Sequence, residues 1–438
     1  MRLKLLTLAL ALTALPLSGH SEDLLDAYRE ARANDPVLAQ SDATRQATGE
    51  GITQARALML PQLSAGLTFN QNSGSNSRDT AGGHSRSRTE SATLSQSVLD
   101  VSKWTSLKSA RSQSDAQEQL YQAALQNLYV RVTQAYFGVL TAQDTLTFNK
   151  ANEEAYRQAY EQADQRFKVG LAAITDVYQA KSYYELAKAQ TISAENTLND
   201  SKEALRQITG QPVTDLKKLR DDLPMDAPSP ADPNTWVEES LKHNPNVLSQ
   251  QYSVEAAEHN VDTARAGHLP TINATVTRGQ TNTWAENGGL GIPGNGRLGT
   301  TAGLTLNVPI FEGFGTQSRV RQQIYNRDAA QDSLESTRRQ VSRDTLNFYR
   351  SVGAGILQVQ ANRASVESGQ KALEATRAGF DVGTQTMLNV LNAIQTLTQA
   401  QSSYSQARHA FILNKLQLKQ SAGTIDMPDL EAVNALLQ

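Results

Sequence analysis

The stretch Phe167–Val177 reads FKVGLAAITDV, and Phe380–Val390 reads FDVGTQTMLNV. A chain that writes one motif twice is built from duplicated units, and that constrains the fold before any finer pattern does. Aligned on Gly170 and Gly383, and without a gap, Val177 meets Val390, Ala180 meets Ala393, Leu205 meets Leu418 and Gly210 meets Gly423. Upstream, Ala55-Arg56-Ala57 with Leu60-Pro61 echoes Ala264-Arg265-Ala266 with Leu269-Pro270. Val98-Leu99-Asp100 faces Ile310-Phe311-Glu312, and Asn34-Asp35-Pro36-Val37-Leu38 echoes Asn244-Pro245-Asn246-Val247-Leu248. The order of elements is the same in both halves. Between them, 223–233 lies within DDLPMDAPSPADPN (221–234), whose four prolines suit neither a helix interior nor a central strand. The first repeat therefore spans 22–222 and the second 234–423, leaving a C-terminal segment, 424–438.

Each half carries one very long helical run. Val101–Lys168 contains no proline and a single glycine, and is rich in Ala, Gln, Leu, Glu and Ser. Such a run makes a rod of about 100 Å. The second half has a similar run over 316–379. Rods of this length pack as coiled coils. Shorter helical segments at 22–57 and 172–209 flank the first rod, and their combined length nearly matches it; 386–422 takes the corresponding place in the second half. Two short helices stacked end to end thus pair along one long partner.

Between the helices the apolar period falls to two. Leu63, Ala65, Leu67 and Phe69 alternate with Ser64, Gly66, Thr68 and Asn70, and Ile272, Ala274 and Val276 alternate with polar neighbours. Leu304, Leu306, Val308 and Ile310 do the same, with a weaker case in Ala92, Leu94 and Val98. Strands are expected at about 62–70, 91–99, 271–278 and 302–311, with Gly/Ser/Asn-rich loops at 71–90 and 279–301. Strands with one apolar and one polar face suit a transmembrane β-barrel; two surface hairpins on a soluble helical protein are the alternative. Four strands cannot close, and an open edge cannot sit in lipid, where its backbone groups find no water. Two chains would supply eight strands, and three would supply twelve, enough for a pore. The fold expected is mainly α with a β-barrel part.

The remaining signals bound the chemistry. Leu5–Leu17 is apolar, follows Arg2 and Lys4, and gives way to Ser18-Gly19-His20-Ser21, the pattern of an export signal too short to span a bilayer. There is no cysteine, so no disulfide framework, thiol catalysis or acylated cysteine is available. A net charge of −3 speaks against a nucleic-acid partner. Mean hydropathy is −0.47, which is polar even for a soluble chain. Gly289, Gly291 and Gly294 match a dinucleotide fingerprint, but they include Pro293 and precede no helix. The six histidines show no ligand spacing. No enzyme activity, metal or cofactor is expected. Trp104, Phe311 and Phe314 stand where strand gives way to helix, as an aromatic belt or as junction packing.

The paired Ala-Arg-Ala-x-x-Leu-Pro motifs, Ser97–Trp104, Arg166–Val177, Leu205–Gly210 and Phe411–Leu416 resemble the TolC family of outer-membrane efflux proteins along the whole chain after the signal. The missing cysteine sets it apart from the acylated branch. The resemblance implies a homotrimer in the outer membrane, with a twelve-stranded shared barrel and a periplasmic tunnel of helical hairpins. The linker and C-terminal segment would form an equatorial belt. It further implies a passive exit duct for drugs and secreted proteins, working with a periplasmic adaptor (membrane fusion) protein and an inner-membrane transporter of RND or ABC type. A soluble periplasmic scaffold or adaptor is the rival reading. Under the resemblance, Val169-Gly170-Leu171 and Val382-Gly383-Thr384 are hairpin tips where an adaptor docks, although a glycine there also serves simply as a helix cap. The same resemblance makes Thr175 and Asp176 constricting partners of Phe380 and Gln385, with Asn389 and Asn392 at the entrance. Where the family typically has tyrosine, arginine and two carboxylates, this chain has Phe380, Gln385, Asn389 and Asn392. A gate held by weaker bonds, and less prone to plugging by multivalent cations, is expected.

Overall fold

A computed structural model describes residues 22–74, 83–213, 215–286 and 294–438. The export signal at 1–21 and the glycines at 289 and 291 lie outside them. The elements in chain order are α1 (Leu24–Asn34), α2 (Pro36–Ala57), β1 (Gln62–Gly74), β2 (Gly83–Leu99), α3 (Val101–Lys168), α4 (Ile174–Thr209), α5 (Pro233–His243), α6 (Pro245–Ala266), β3 (Thr271–Glu286), β4 (Gly294–Asn295), β5 (Gly299–Asn307), α7 (Gly315–Asp381), α8 (Met387–Ser421) and α9 (Met427–Asn434). The repeat is written in these lengths. Helices α1 and α5 both have 11 residues, α2 and α6 both have 22, α3 and α7 have 68 and 67, and α4 and α8 have 36 and 35.

The described residues divide into two compact units, a helical one (within 22–41, 121–245 and 338–438) and a sheet-bearing one (within 42–120 and 246–337). In the helical unit the expected single helix over 22–57 is broken at Asp35. Pro36 forces the residue before it out of the helical region, and Asp35 sits at φ −66°, ψ 117°. The buried Asp35 carboxylate then receives the Leu38 N–H at 2.8 Å and an Arg131 guanidinium nitrogen at 2.5 Å, while the Asp35 backbone N–H closes α1 on the Ala31 carbonyl oxygen at 2.8 Å. Asn244 before Pro245 breaks the second half at the same place, and donates from Nδ2 to the Ser421 carbonyl oxygen at 2.9 Å. Leu38 and Val247, both buried, occupy corresponding sites. The front echo read from sequence is therefore one residue out of step, since Asp35-Pro36 answers Asn244-Pro245.

End-to-end stacking of short helices is visible at both joints. Asn34 Nδ2 donates to the Thr209 carbonyl oxygen at 2.9 Å where α1 meets the end of α4. At the other joint a Cβ on Gly423 would stand 2.3 Å from the His243 carbonyl oxygen, so only glycine fits there. The main core of this unit joins Leu24, Tyr28, Leu128, Val132 and Tyr136 with Leu205, Leu416 and Leu430. Tyr28 and Tyr129 stack at 4.6 Å within it. Burial raises the pKa of Tyr136, whose hydroxyl lies 3.1 and 2.9 Å from the carbonyl oxygens of Glu22 and Lys217. The end of the first repeat pairs with the C-terminal segment: Lys218 and Gln438 exchange backbone bonds of 3.0 and 2.8 Å, and Arg220 N–H reaches Leu436 O at 3.0 Å.

In the sheet-bearing unit the helices are held by small polar contacts, such as Thr263 Oγ to Thr105 Oγ at 2.7 Å and Ser109 Oγ to Ala256 O at 3.2 Å. The sheet is antiparallel throughout; β1 pairs with β2, β2 with β3, and β3 with both β4 and β5. The strands run further outward than their apolar alternation suggested. Strand β2 begins at Gly83, and β3 continues to Glu286, into the segments read as loops, whereas 308–311 is not strand. Ser, Thr, Asn and Arg in those outer halves hide the period that the ladder nonetheless keeps.

Candidate functional site

Two places in the molecule combine exposed apolar surface with a defined geometry. The first is the pair of tips in the helical unit. After α3, Leu171 N–H bonds Arg166 O at 2.8 Å and Gly170 N–H bonds Phe167 O at 2.9 Å; after α7, Thr384 N–H bonds Gly379 O at 2.8 Å and Gly383 N–H bonds Phe380 O at 3.1 Å. This is the Schellman pattern, in which a residue with positive φ satisfies the last helical carbonyls. Gly170 has φ +78° and Gly383 φ +80°, and nothing lies within 4 Å of a Cβ built at either. Conformation alone thus requires glycine there. Val169, Leu171 and Val382 are respectively 68%, 75% and 77% exposed, although an isolated protein gains by burying such side chains.

The tips rest on a core of Tyr156, Ala163, Val177, Leu373, Met387, Val390 and Leu391. Tyr156 donates to the Leu391 carbonyl oxygen at 3.2 Å, and burial pushes its pKa up to about 12. The structure brings some of the expected gate residues together and leaves others apart. Asn389 Nδ2 donates to Gln385 Oε1 at 2.7 Å, and Tyr183 donates to Asn392 Oδ1 at 3.3 Å. Among the described residues, no hydrogen bond links Thr175 or Asp176 to Phe380 or Gln385. The partner of Phe380 is instead Arg166, a residue that the sequence reading did not single out. Its guanidinium lies 4.4 Å from the ring centre, and its Nη1 reaches the Phe380 carbonyl oxygen at 3.5 Å. Gln162 on the same helix donates to Asp381 Oδ1 at 3.4 Å. The only sequence sign of this was the place of Arg166 in the last turn of α3, where a cation favours the helix end.

The second place is the sheet. Alternation and register put Leu63, Leu94, Val276 and Ala302 in one row and Ile272 and Leu306 in another, on a single face. Leu63, Leu67, Phe69, Leu304 and Leu306 are each more than half exposed. The opposite face carries Ser64, Thr93, Thr277 and Thr301, with Thr93 and Thr277 hydroxyls 3.2 Å apart and Thr89 and Thr281 hydroxyls 3.1 Å apart. Among the described residues β1 pairs only with β2 and β5 only with β3, so both outer edges are open. No helix of the described residues is long and apolar enough to cross a membrane.

A two-faced antiparallel sheet joined to very long helices defines the class of outer-membrane channel proteins with a helical tunnel. The outer membrane efflux protein family matches residues 27–211 and 236–424, one match in each repeat, and the chain belongs to that family. It is 35% identical to the outer membrane protein TolC of Escherichia coli over 97% of this chain and 88% of that one, and 35% identical to TolC of Vibrio cholerae over 98% and 97%. The alkaline protease secretion protein AprF of Pseudomonas aeruginosa is 27% identical over 94% of this chain and 86% of that one. Among solved structures, a membrane protein from Pseudomonas aeruginosa superposes with a TM-score of 0.79 at 21% identity over 91% of this chain and 93% of its own. The Campylobacter jejuni CmeC outer membrane channel does so at 0.77 and 17% identity over 97% and 95%. The chain is an outer-membrane protein of the TolC type, and its fold is that of an outer-membrane exit duct.

Proposed function

We propose that the chain forms a homotrimeric exit duct for efflux and type I secretion, passive in itself and gated at its helix tips. One observation carries this reading: the sheet has an apolar face, a Ser/Thr face and two open edges. In lipid an open edge leaves several unpaired backbone groups, each costing several kcal/mol on the order of a lost hydrogen bond to water. Pairing β5 of one copy with β1 of the next removes both edges, and three copies supply twelve strands. The Ser/Thr face then lines the aqueous channel. The efflux and secretion names of the relatives support the cargo classes. The chain does no chemistry; a periplasmic adaptor and an inner-membrane transporter of RND or ABC type supply recognition and energy.

The exposed Val169, Leu171 and Val382 at twin turns support adaptor docking there, because close backbone approach needs a residue without a side chain. Arg166 latching Phe380, Gln385 holding Asn389, and Tyr183 holding Asn392 support gating by bonds within one protomer. Thr175 and Asp176 remain free to meet a neighbouring copy. Purified protein is expected as heat-resistant trimers that conduct ions in a planar bilayer. A freely soluble monomer without conductance would instead mean a periplasmic scaffold.

A further inference from the structure

The apolar face of the sheet is interrupted by charge. Arg86, Arg88 and Glu90 on β2 and Arg278 on β3 share the face of Leu63, Leu94 and Val276, since they stand at even spacings from Leu94 and Val276. Arg88 is paired with Glu90, and its guanidinium lies 5.9 Å from the centre of the Phe69 ring. Arg86 and Arg278 are exposed and, among the described residues, have no hydrogen-bond or ion-pair partner in the protomer. From the Leu94 row to the Arg86 row, three cations therefore stand against one carboxylate on a strip bordered by Ala65, Ala92 and Phe69.

Lipid tolerates such cations only at a certain depth. Arginine on the outer face of a barrel costs about 2–4 kcal/mol at the midplane but about 0–1 near an interface. Arg278 lies about 23 Å along its strand from Thr271, or roughly 18 Å in height at a tilt of about 40°. Arg88 lies about 36 Å along β2 from Leu99, or roughly 28 Å in height. An apolar band of about 25 Å thus ends among these cations. Arginine side chains extend toward the headgroups when their stems lie in the apolar layer.

We propose that this strip binds the phosphate groups of a lipid headgroup in the outward-facing leaflet. The guanidinium fork matches phosphate in two-point contact. Arg86 stands three same-face rows beyond Ala92, the residue opposite Arg278, so these two cations are about 20 Å apart at their backbones, a gap that two long side chains shorten. A headgroup carrying two phosphates spans that gap, with Arg278 and Arg86 as the free forks and Arg88 held between them by Glu90. The inference rests on the sheet facing lipid.

The test uses trimers first shown to conduct, placed in phosphatidylcholine nanodiscs with a diglucosamine lipid carrying two phosphates, one or none. Native mass spectrometry reads retained lipid. The bisphosphorylated lipid is expected to bind about tenfold tighter than the unphosphorylated one, in keeping with charge-assisted bonds. Arg278→Gln with Arg86→Gln should erase that preference, Arg278→Lys should keep part of it, and Arg363→Gln, in the helical unit, should keep all of it. Retention independent of phosphate number, or unchanged in the double variant, overturns the proposal. So does displacement of the lipid by inorganic phosphate at equal concentration, which would mark a site for free anions. Trimers that never conduct would sink the lipid-facing reading itself.

Discussion

The guanidinium of Arg166 covers the ring of Phe380 at 4.4 Å, joining the last turn of α3 to the last turn of α7 just above the two tips. Both side chains are half-buried, so solvent screens the contact only in part. A cation over an aromatic ring at such a site is worth about 0.5–1 kcal/mol. Arg166→Ala is expected to raise the open fraction of the resting channel about two- to fivefold per latch. Bilayer conductance would show this, with Arg166→Lys intermediate. An unchanged resting conductance would remove Arg166 from the gate.

Asn389 and Asn392 lie three apart on α8 and present amides where the family typically presents carboxylates. A trimer with aspartate at both sites would gather six negative charges at a narrow entrance, and rings of carboxylates bind multivalent cations. The channel as it stands is expected to pass current in the presence of trivalent cations added on the tip side. Asn389→Asp with Asn392→Asp should confer block at roughly a hundredfold lower concentration, in line with close charge pairs in partial burial. Tight block of the unaltered channel would refute this.

His409 on α8 is buried, stacks on Phe137 at 5.1 Å and shares a 2.7 Å bond with Thr141. The Thr141 hydroxyl donates to the Phe137 carbonyl oxygen at 2.7 Å, so His409 carries its proton on Nδ1 and donates it. Burial pushes its pKa down to about 4, opposed by Asp144 and aided by Arg408. The unfolded chain takes up this proton near pH 6.5 and the folded chain only near 4. Stability is therefore full above pH 6.5 and declines as pH falls toward 4, by about 3 kcal/mol at most. Melting curves should show this fall, and His409→Gln should flatten it. A variant with the parent's pH profile would exclude His409 as its source.

Four glycines with positive φ, Gly170, Gly210, Gly383 and Gly423, close helices at matching points of the two repeats, yet they should not respond alike to alanine. At Gly170 and Gly383 only the backbone objects, at about 1–2 kcal/mol. At Gly423 a methyl would also collide with His243 backbone at 2.3–2.5 Å. Gly423→Ala should abolish trimers, whereas Gly170→Ala should leave trimers intact and impair export. Thermal denaturation and an export assay separate the two outcomes.

The repeat, the long rods and the two-faced strands were legible because each follows from local periodicity. What escaped was set by single residues or by distant partners. Asp35 looks like an ordinary helical residue until Pro36 is weighed, and its partner Arg131 lies far along the chain. The outer halves of β2 and β3 carry polar side chains on both faces, so only the ladder reveals them. Arg166 meets Phe380 across 214 residues of sequence, a distant pairing of the ends of α3 and α7 that no local pattern announces. Among the described residues Phe380 and Gln385 take Arg166 and Asn389 as partners, and neither contact was visible in the spacing of the tip motifs.

The two Schellman turns share a backbone but differ in the residue that follows, Leu171 at one and Thr384 at the other. A partner that grips only main-chain amides finds equivalent handholds and doubles the count set by the number of chains. One that reads side chains distinguishes greasy handholds from hydroxylated ones. Gene duplication thereby leaves stoichiometry in the hands of whatever docks.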